Sequence, residues 1–112
     1  MDKYILVVHS NATAGNDDAY NKWYDDIHLG EVLQITGFTA AQRFKVTGAP
    51  AAGGPPTHQY LAIYELETDT PQVSLDGLGK AVSSGKMTMS GAIDMTNTAA
   101  SLYGPITARV TK

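Results

Sequence analysis

Residues 20–33 read Tyr20-Asn21-Lys22-Trp23-Tyr24-Asp25-Asp26-Ile27-His28-Leu29-Gly30-Glu31-Val32-Leu33, and this stretch decides the fold. Tyr20, Trp23, Tyr24, Ile27 and Glu31 recur at three- and four-residue spacing, which places them on one side of a helix. His28 lies at the edge of that aromatic side, one turn after Tyr24. A surface helix of a small domain does not need this chemistry; a helix that seals a pocket can use it. Upstream, Asn16 or Asp17 is placed to cap the helix, its side-chain oxygen accepting an unpaired backbone N–H. Downstream, Gly30 is expected to break or bend it.

The rest of the chain sets the bounds. Its 112 residues make one domain, residues 1–112, small enough that its core gains from association. With 8 basic and 11 acidic side chains the formal charge is −3, and no basic run suits nucleic acid or an anionic membrane. The absence of cysteine excludes disulfides, thiolate metal sites and cysteine nucleophiles. His9, His28 and His58 form no short metal-ligand motif, so no metal is expected. No dinucleotide fingerprint or phosphate loop occurs; Gly77-Leu78-Gly79-Lys80 has the wrong surroundings for one. No nucleophile elbow accompanies the histidines. The apolar run Tyr4-Ile5-Leu6-Val7-Val8 follows only three residues and is too short for a signal peptide or a membrane span, so a soluble, cytoplasmic protein is expected.

Working outward from the helix, residues 4–9 read as a strand apolar on both faces. Gly37 opens a second strand over 38–46, with Phe38, Ala40, Gln42, Phe44 and Val46 on one face and Thr39, Ala41, Arg43 and Lys45 on the other. Residues 48–56 form a turn-rich connection. A third strand over 58–66 places His58, Tyr60, Ala62, Tyr64 and Leu66 together. Thr70-Pro71 starts a second helix with Val73, Leu75, Leu78 and Val82 as buried candidates. Residues 85–101 suit neither helix nor strand and are a lid or a surface loop. The last strand is expected over 102–110, interrupted by Gly104-Pro105. The order βαββαβ is the ferredoxin-like α+β arrangement, a four-stranded antiparallel sheet with two helices on one face. The other face also carries Phe, Tyr and aliphatic residues. Pairing two such faces across a two-fold axis buries them and gives a homodimer, a dimeric α+β barrel.

The stretch 20–33, followed by Gly37-Phe38 and Ala41-Gln42-Arg43-Phe44, resembles the EthD-like branch of the dimeric α/β-barrel superfamily. The motif-bearing part covers residues 20–44, and the order of elements extends the likeness over most of the chain. The superfamily includes lactone isomerases, polyketide cyclases, haem-degrading monooxygenases and dye-decolourising peroxidases. The resemblance implies a small, often aromatic ligand held between the sheet and the helices or loops of each protomer. It maps the family's recurring tryptophan and histidine onto Trp23 and His28.

The candidate chemistry follows from residue type. Neutral imidazole takes and returns a proton near pH 7, which makes His28 the preferred catalytic residue for enolisation or isomerisation. Tyr24 and Tyr64 add hydroxyls as orienting or weakly acidic groups. Trp23 forms an apolar wall; Asn21, Tyr60, His58, His9 and Tyr103 are further substrate-binding candidates. Arg43 can grip a carboxylate or phenolate, or cross a dimer interface. Asp25 and Asp26 are adjacent and point apart, so they make no acid/base pair, although Asp25 is near enough in angle to orient His28. Glu31 can pair with Arg43, hold a ligand group or form a dimer salt bridge. The expectation is a lyase or isomerase without metal or organic cofactor, acting on a small aromatic or unsaturated compound. A haem-dependent monooxygenase and a non-catalytic binding or accessory protein are the alternatives.

Overall fold

A computed structural model describes residues 1–49 and 51–112. Pro50, inside the expected turn-rich connection, lies outside the described residues. The chain runs β1 (Lys3–Ser10), α1 (Asp17–Trp23), a π-helical turn (Tyr24–His28), α2 (Leu29–Val32), β2 (Phe38–Lys45), β3 (Tyr60–Glu67), α3 (Pro71–Ser83), a 3-10 turn (Met95–Asn97) and β4 (Ala99–Tyr103). The strands pair antiparallel in the order β2-β3-β1-β4, as the βαββαβ reading requires. Among the described residues, no helix is long and apolar enough to cross a membrane.

One face of the sheet is covered and the other is open. Tyr4, Leu6, Val8 and Ser10 of β1 lie level with Leu66, Tyr64, Ala62 and Tyr60 of β3, and this set meets the helices. Tyr20 packs its ring 4.8 Å from Tyr60. It also bonds Ser10 through the two hydroxyls, so the centre of the layer is aromatic yet hydrogen-bonded. The open face presents Ile5, Val7, Leu61, Ile63, Phe44 and Tyr103.

Several sequence expectations are corrected by local backbone geometry. Gly30 does not end the helix; it passes through Gly30 to Val32 because a π-helical turn absorbs one extra residue before it. That extra residue changes the phase, so Ile27 turns outward and His28 swings under the aromatic side. Asn16 sits at the N-cap but makes no side-chain cap bond; its amide donates to Thr13 Oγ1 instead. In β2, Phe38 pairs with Leu66 and Ala40 with Glu65, leaving Thr39 as a bulged extra residue. Beyond it the faces exchange. Phe38, Ala41, Arg43 and Lys45 therefore share the covered face, opposite Leu66, Tyr64, Ala62 and Tyr60, while Gln42 and Phe44 are on the open one.

The second helix starts at Pro71 as expected, but Val73 is 64% exposed and Ser74 and Ala81 take the buried positions. Ser74 is needed there because its hydroxyl donates to the Thr36 carbonyl at 2.7 Å. Gly37, at φ +101°, lies against that serine with no room for a Cβ. The last strand lies earlier than expected, at Ala99–Tyr103, and pairs with Ile5 to His9 of β1. Residues 104–112 leave the sheet at Gly104, where an added Cβ would come into contact with the Tyr4 ring. The segment before β4 is tied down: Thr13 N–H donates to Ala92 O, Asp94 N–H to Asn11 O, and Met87 and Ile93 are buried.

Candidate functional site

The π-helical turn builds the centre of the site. Trp23 and His28 are five residues apart, and the wide turn stacks their rings at 4.6 Å and 24°. Tyr24 meets the imidazole edge-on at 5.0 Å. His28 Nδ1 is buried and has no hydrogen-bond partner among the described residues. A buried, unpaired ring nitrogen costs free energy unless something uses it. Burial also lowers the His28 pKa, with the Glu31 carboxylate acting against the shift. The imidazole is thus held neutral near pH 7, with a lone pair to offer.

A strap crosses beside it. The Trp23 indole donates to the Thr88 carbonyl at 2.7 Å. The Thr88 N–H is shared by both Glu31 oxygens at 3.0 and 3.1 Å. One residue is thereby gripped at both backbone groups by the side chains flanking His28. Glu31 is committed here, not to Arg43. Sequence reading missed Thr88 because it contributes only backbone, which leaves no residue-type signal.

Behind Tyr24 lies a second layer. Tyr64 donates to the Tyr24 hydroxyl at 3.4 Å, which leaves Tyr24's own hydrogen for another acceptor. Burial raises both phenol pKa values, most strongly for Tyr64. The phenols therefore stay protonated as donors. Arg43 reaches this layer because the β2 bulge turns it inward. Its guanidinium lies 4.4 Å over Tyr24, 5.2 Å from Tyr20 and 5.6 Å from Tyr60, and donates to Asn21 Oδ1 and Asp25 Oδ1. Asp25 is therefore Arg43's partner and does not orient His28. Arg43 is 12% exposed and Asp25 58%. An ion pair with so open a carboxylate is worth about 0–1 kcal/mol. Cation–π contact contributes roughly 0.5–2 kcal/mol, so the rings do more than Asp25 to hold the arginine.

Tyr60 donates to Asp17 Oδ2 at 2.6 Å, and that bond raises the phenol pKa. A hollow of about 300 Å³ opens on Asn21, Asp25, Arg43, Phe44, Lys45 and Tyr60.

His28, Trp23, Tyr24, Tyr64, Asn21, Arg43 and Tyr60 thus form one continuous set on the covered face. The remaining candidates lie elsewhere. His9 is on the open face, and His58, just outside β3, turns to it with ring centroids 5.5 Å apart. Both His58 nitrogens are engaged, by Thr57 Oγ1 and the Asn97 carbonyl. They border a separate hollow of about 360 Å³. Tyr103 is on the open face at the opposite end, level with Ile5. The sequence grouping of His58 with Tyr60 fails because β3 begins only at Tyr60.

No family model matches the sequence, and no curated protein matches it. Solved structures do. An EthD-like protein from Ralstonia eutropha JMP134 aligns with a TM-score of 0.63 at 14% identity, over 97% of this chain and 96% of that one. The haem degrader MhuD from Mycobacterium tuberculosis, solved with two haems in its active site, aligns at 0.61 and 17% identity, over 96% and 99%. A dimeric ferredoxin-like protein of unknown function from Thermobifida fusca YX aligns at 0.54 and 7% identity, over 93% and 92%. At these identities the likeness carries the fold alone, and it is the fold that residues 20–44 led us to expect: the chain has the ferredoxin-like α+β fold found in EthD-like proteins.

Proposed function

We propose that the protein is a cofactor-independent lyase or isomerase of a small aromatic or unsaturated compound, with His28 as its general base. The observation that carries this reading is the buried, unpartnered His28 Nδ1 on a π-helical turn, a local distortion frequent at functional sites. Nδ1 takes a proton from a carbon next to a carbonyl or in an activated ring. The electron pair left behind moves onto the oxygen, where the free Tyr24 hydrogen, backed by Tyr64, stabilises it. Return of the proton to a different carbon completes an isomerisation with no atom gained or lost. Trp23 walls the site, while Asn21, Arg43 and Tyr60 anchor a polar or anionic end of the ligand at the 300 Å³ hollow. His9, His58 and Tyr103 would touch ligand only from the open face, where a second copy completes the enclosure.

Pairing of two open faces into a homodimer is part of this reading. Its support is the apolar character of that face and the fold shared with a protein described as dimeric. The haem alternative draws on the likeness to MhuD. His28 is stacked on Trp23 with its Nδ1 buried, and both His58 nitrogens are engaged, so among the described residues exposed His9 on the open face is the histidine a haem iron would have to use.

The test is turnover of a panel of unsaturated lactones and phenols in D₂O, followed by NMR. Deuterium should enter the product with the native protein and not with a folded His28→Ala variant. Equal incorporation by both would remove His28 from the chemistry. Tight retention of an unaltered ligand would make the protein a binding or accessory protein instead.

A further inference from the structure

Residues 104–112 leave the sheet after β4 and take no helix or strand. Their two large aliphatic side chains, Ile106 and Val110, are 98% and 87% exposed. Aliphatic side chains this bare on a backbone that is not part of the sheet gain much by burial. The segment does not trail away from the molecule. With the open sheet face it encloses a hollow of about 660 Å³, lined from the sheet by Lys3, Ile5, Glu65 and Glu67, and bordered by Tyr103 and Arg109. Lys3, Ile5, Glu65, Glu67 and Tyr103 all belong to the open face, so residues 104–109 stand as a wall at that end of it.

The charges say what fits beneath the wall. A two-fold interface sets a patch against itself, so the patch must be complementary to its own copy. Here Lys3 and Arg109 accompany Glu65 and Glu67, two charges of each sign around an apolar floor. An acidic or polyanionic partner would meet the glutamates, whereas a second copy offers a cation for each. Among the described residues Arg109 makes no ion pair within its own chain.

We infer that residues 104–112 form a clasp that closes over a second copy of this chain, seating Ile106 and Val110 on it and bringing Arg109 to its acidic pair. The inference rests on the proposed pairing of open faces and adds the element that locks it. The clasp binds the rim of the interface, and the sheet faces bind its centre. The two contributions can therefore be separated.

Sedimentation of the full chain, of a variant ending at Pro105 and of the double variant Ile106→Ser/Val110→Ser separates them. The full chain should be a dimer at micromolar concentration. Both altered chains should keep the native circular dichroism spectrum and dissociate at about tenfold or more higher concentration. Arg109→Glu should weaken the dimer, and adding Glu67→Arg should restore it. A truncated chain that dimerises as tightly as the full one overturns the clasp and leaves face pairing intact. A full chain that stays monomeric at high concentration overturns both. Phe44→Glu, on edge strand β2 at the end of the open face away from the clasp, should abolish the dimer whether or not residues 106–112 are present.

Discussion

At the scale of single residues, His28, the base of the proposed reaction, carries a pH signature of its own. Its pKa is lower in the folded protein than the ordinary value of 6.5, chiefly because burial disfavours the charged ring. The unfolded chain therefore binds the proton more readily. His28's contribution to stability is intact above about pH 6.5 and is lost as pH falls through the depressed folded pKa. Thermal melts of the native protein should accordingly lose stability below pH 6.5 more steeply than those of His28→Gln, which has nothing there to titrate. Superimposable pH curves for the two proteins would show that burial imposes no proton penalty. With His28 as the proposed base, turnover should rise with pH through the depressed pKa and level off by neutrality. Residue type and spacing led to His28, Trp23, Tyr24 and Tyr64 as candidates, and the structure brings these four side chains together. Type and spacing were not enough to reveal that Nδ1 lacks a partner, since that depends on what the neighbouring segments leave vacant.

At the scale of elements, the π-helical turn determines what His28 touches. A helix with one residue too many keeps its faces aligned on either side of the defect, so Tyr20 and Val32 are both buried. Deleting exposed Asp26 should therefore convert α1 through α2 into one continuous α-helix without unfolding the protein. It should reset Trp23 and His28 to a four-residue separation on one helix face, alter the tilt and offset of their stacking and lower turnover about 100-fold, the scale of loss that a misplacement near 1 Å brings. Circular dichroism and Trp23 fluorescence would report the two halves of that outcome separately; native stacking after the deletion would show that the extra residue is dispensable. Sequence periodicity sees a three- and four-residue recurrence equally well with or without such a defect, so the helix was legible and its phase was not. The same limit explains β4. Ala99 to Tyr103 is poor in strand-forming side chains, while Ile106 and Val110 look like strand residues, yet the backbone pairs the former with β1 and leaves the latter bare.

For the whole molecule, the proposed pairing of open sheet faces would couple folding to association. Anything that binds only the folded chain stabilises it in proportion to its concentration, and a second copy is no exception. The melting temperature should climb as protein concentration is raised and become independent of it in Phe44→Glu; a constant melting temperature in the native protein would show that the faces stay apart. The antiparallel four-stranded arrangement was readable from the sequence because the order of elements, βαββαβ, is clear. What stood on each face of β2 was not, since Thr39 reverses it. That single bulge has a consequence for how this lineage can change. Lys45 and Arg43 are kept among tyrosines, and Phe44 is kept on the open face, by the parity of one residue count. Losing one residue between Gly37 and Ala41 would leave every β2 side chain chemically intact and exchange their destinations, placing two cations on the open face and a phenylalanine against the tyrosine rings. Length changes there are tolerable in twos and ruinous singly, so β2 encodes the sorting of charge from grease as an odd number.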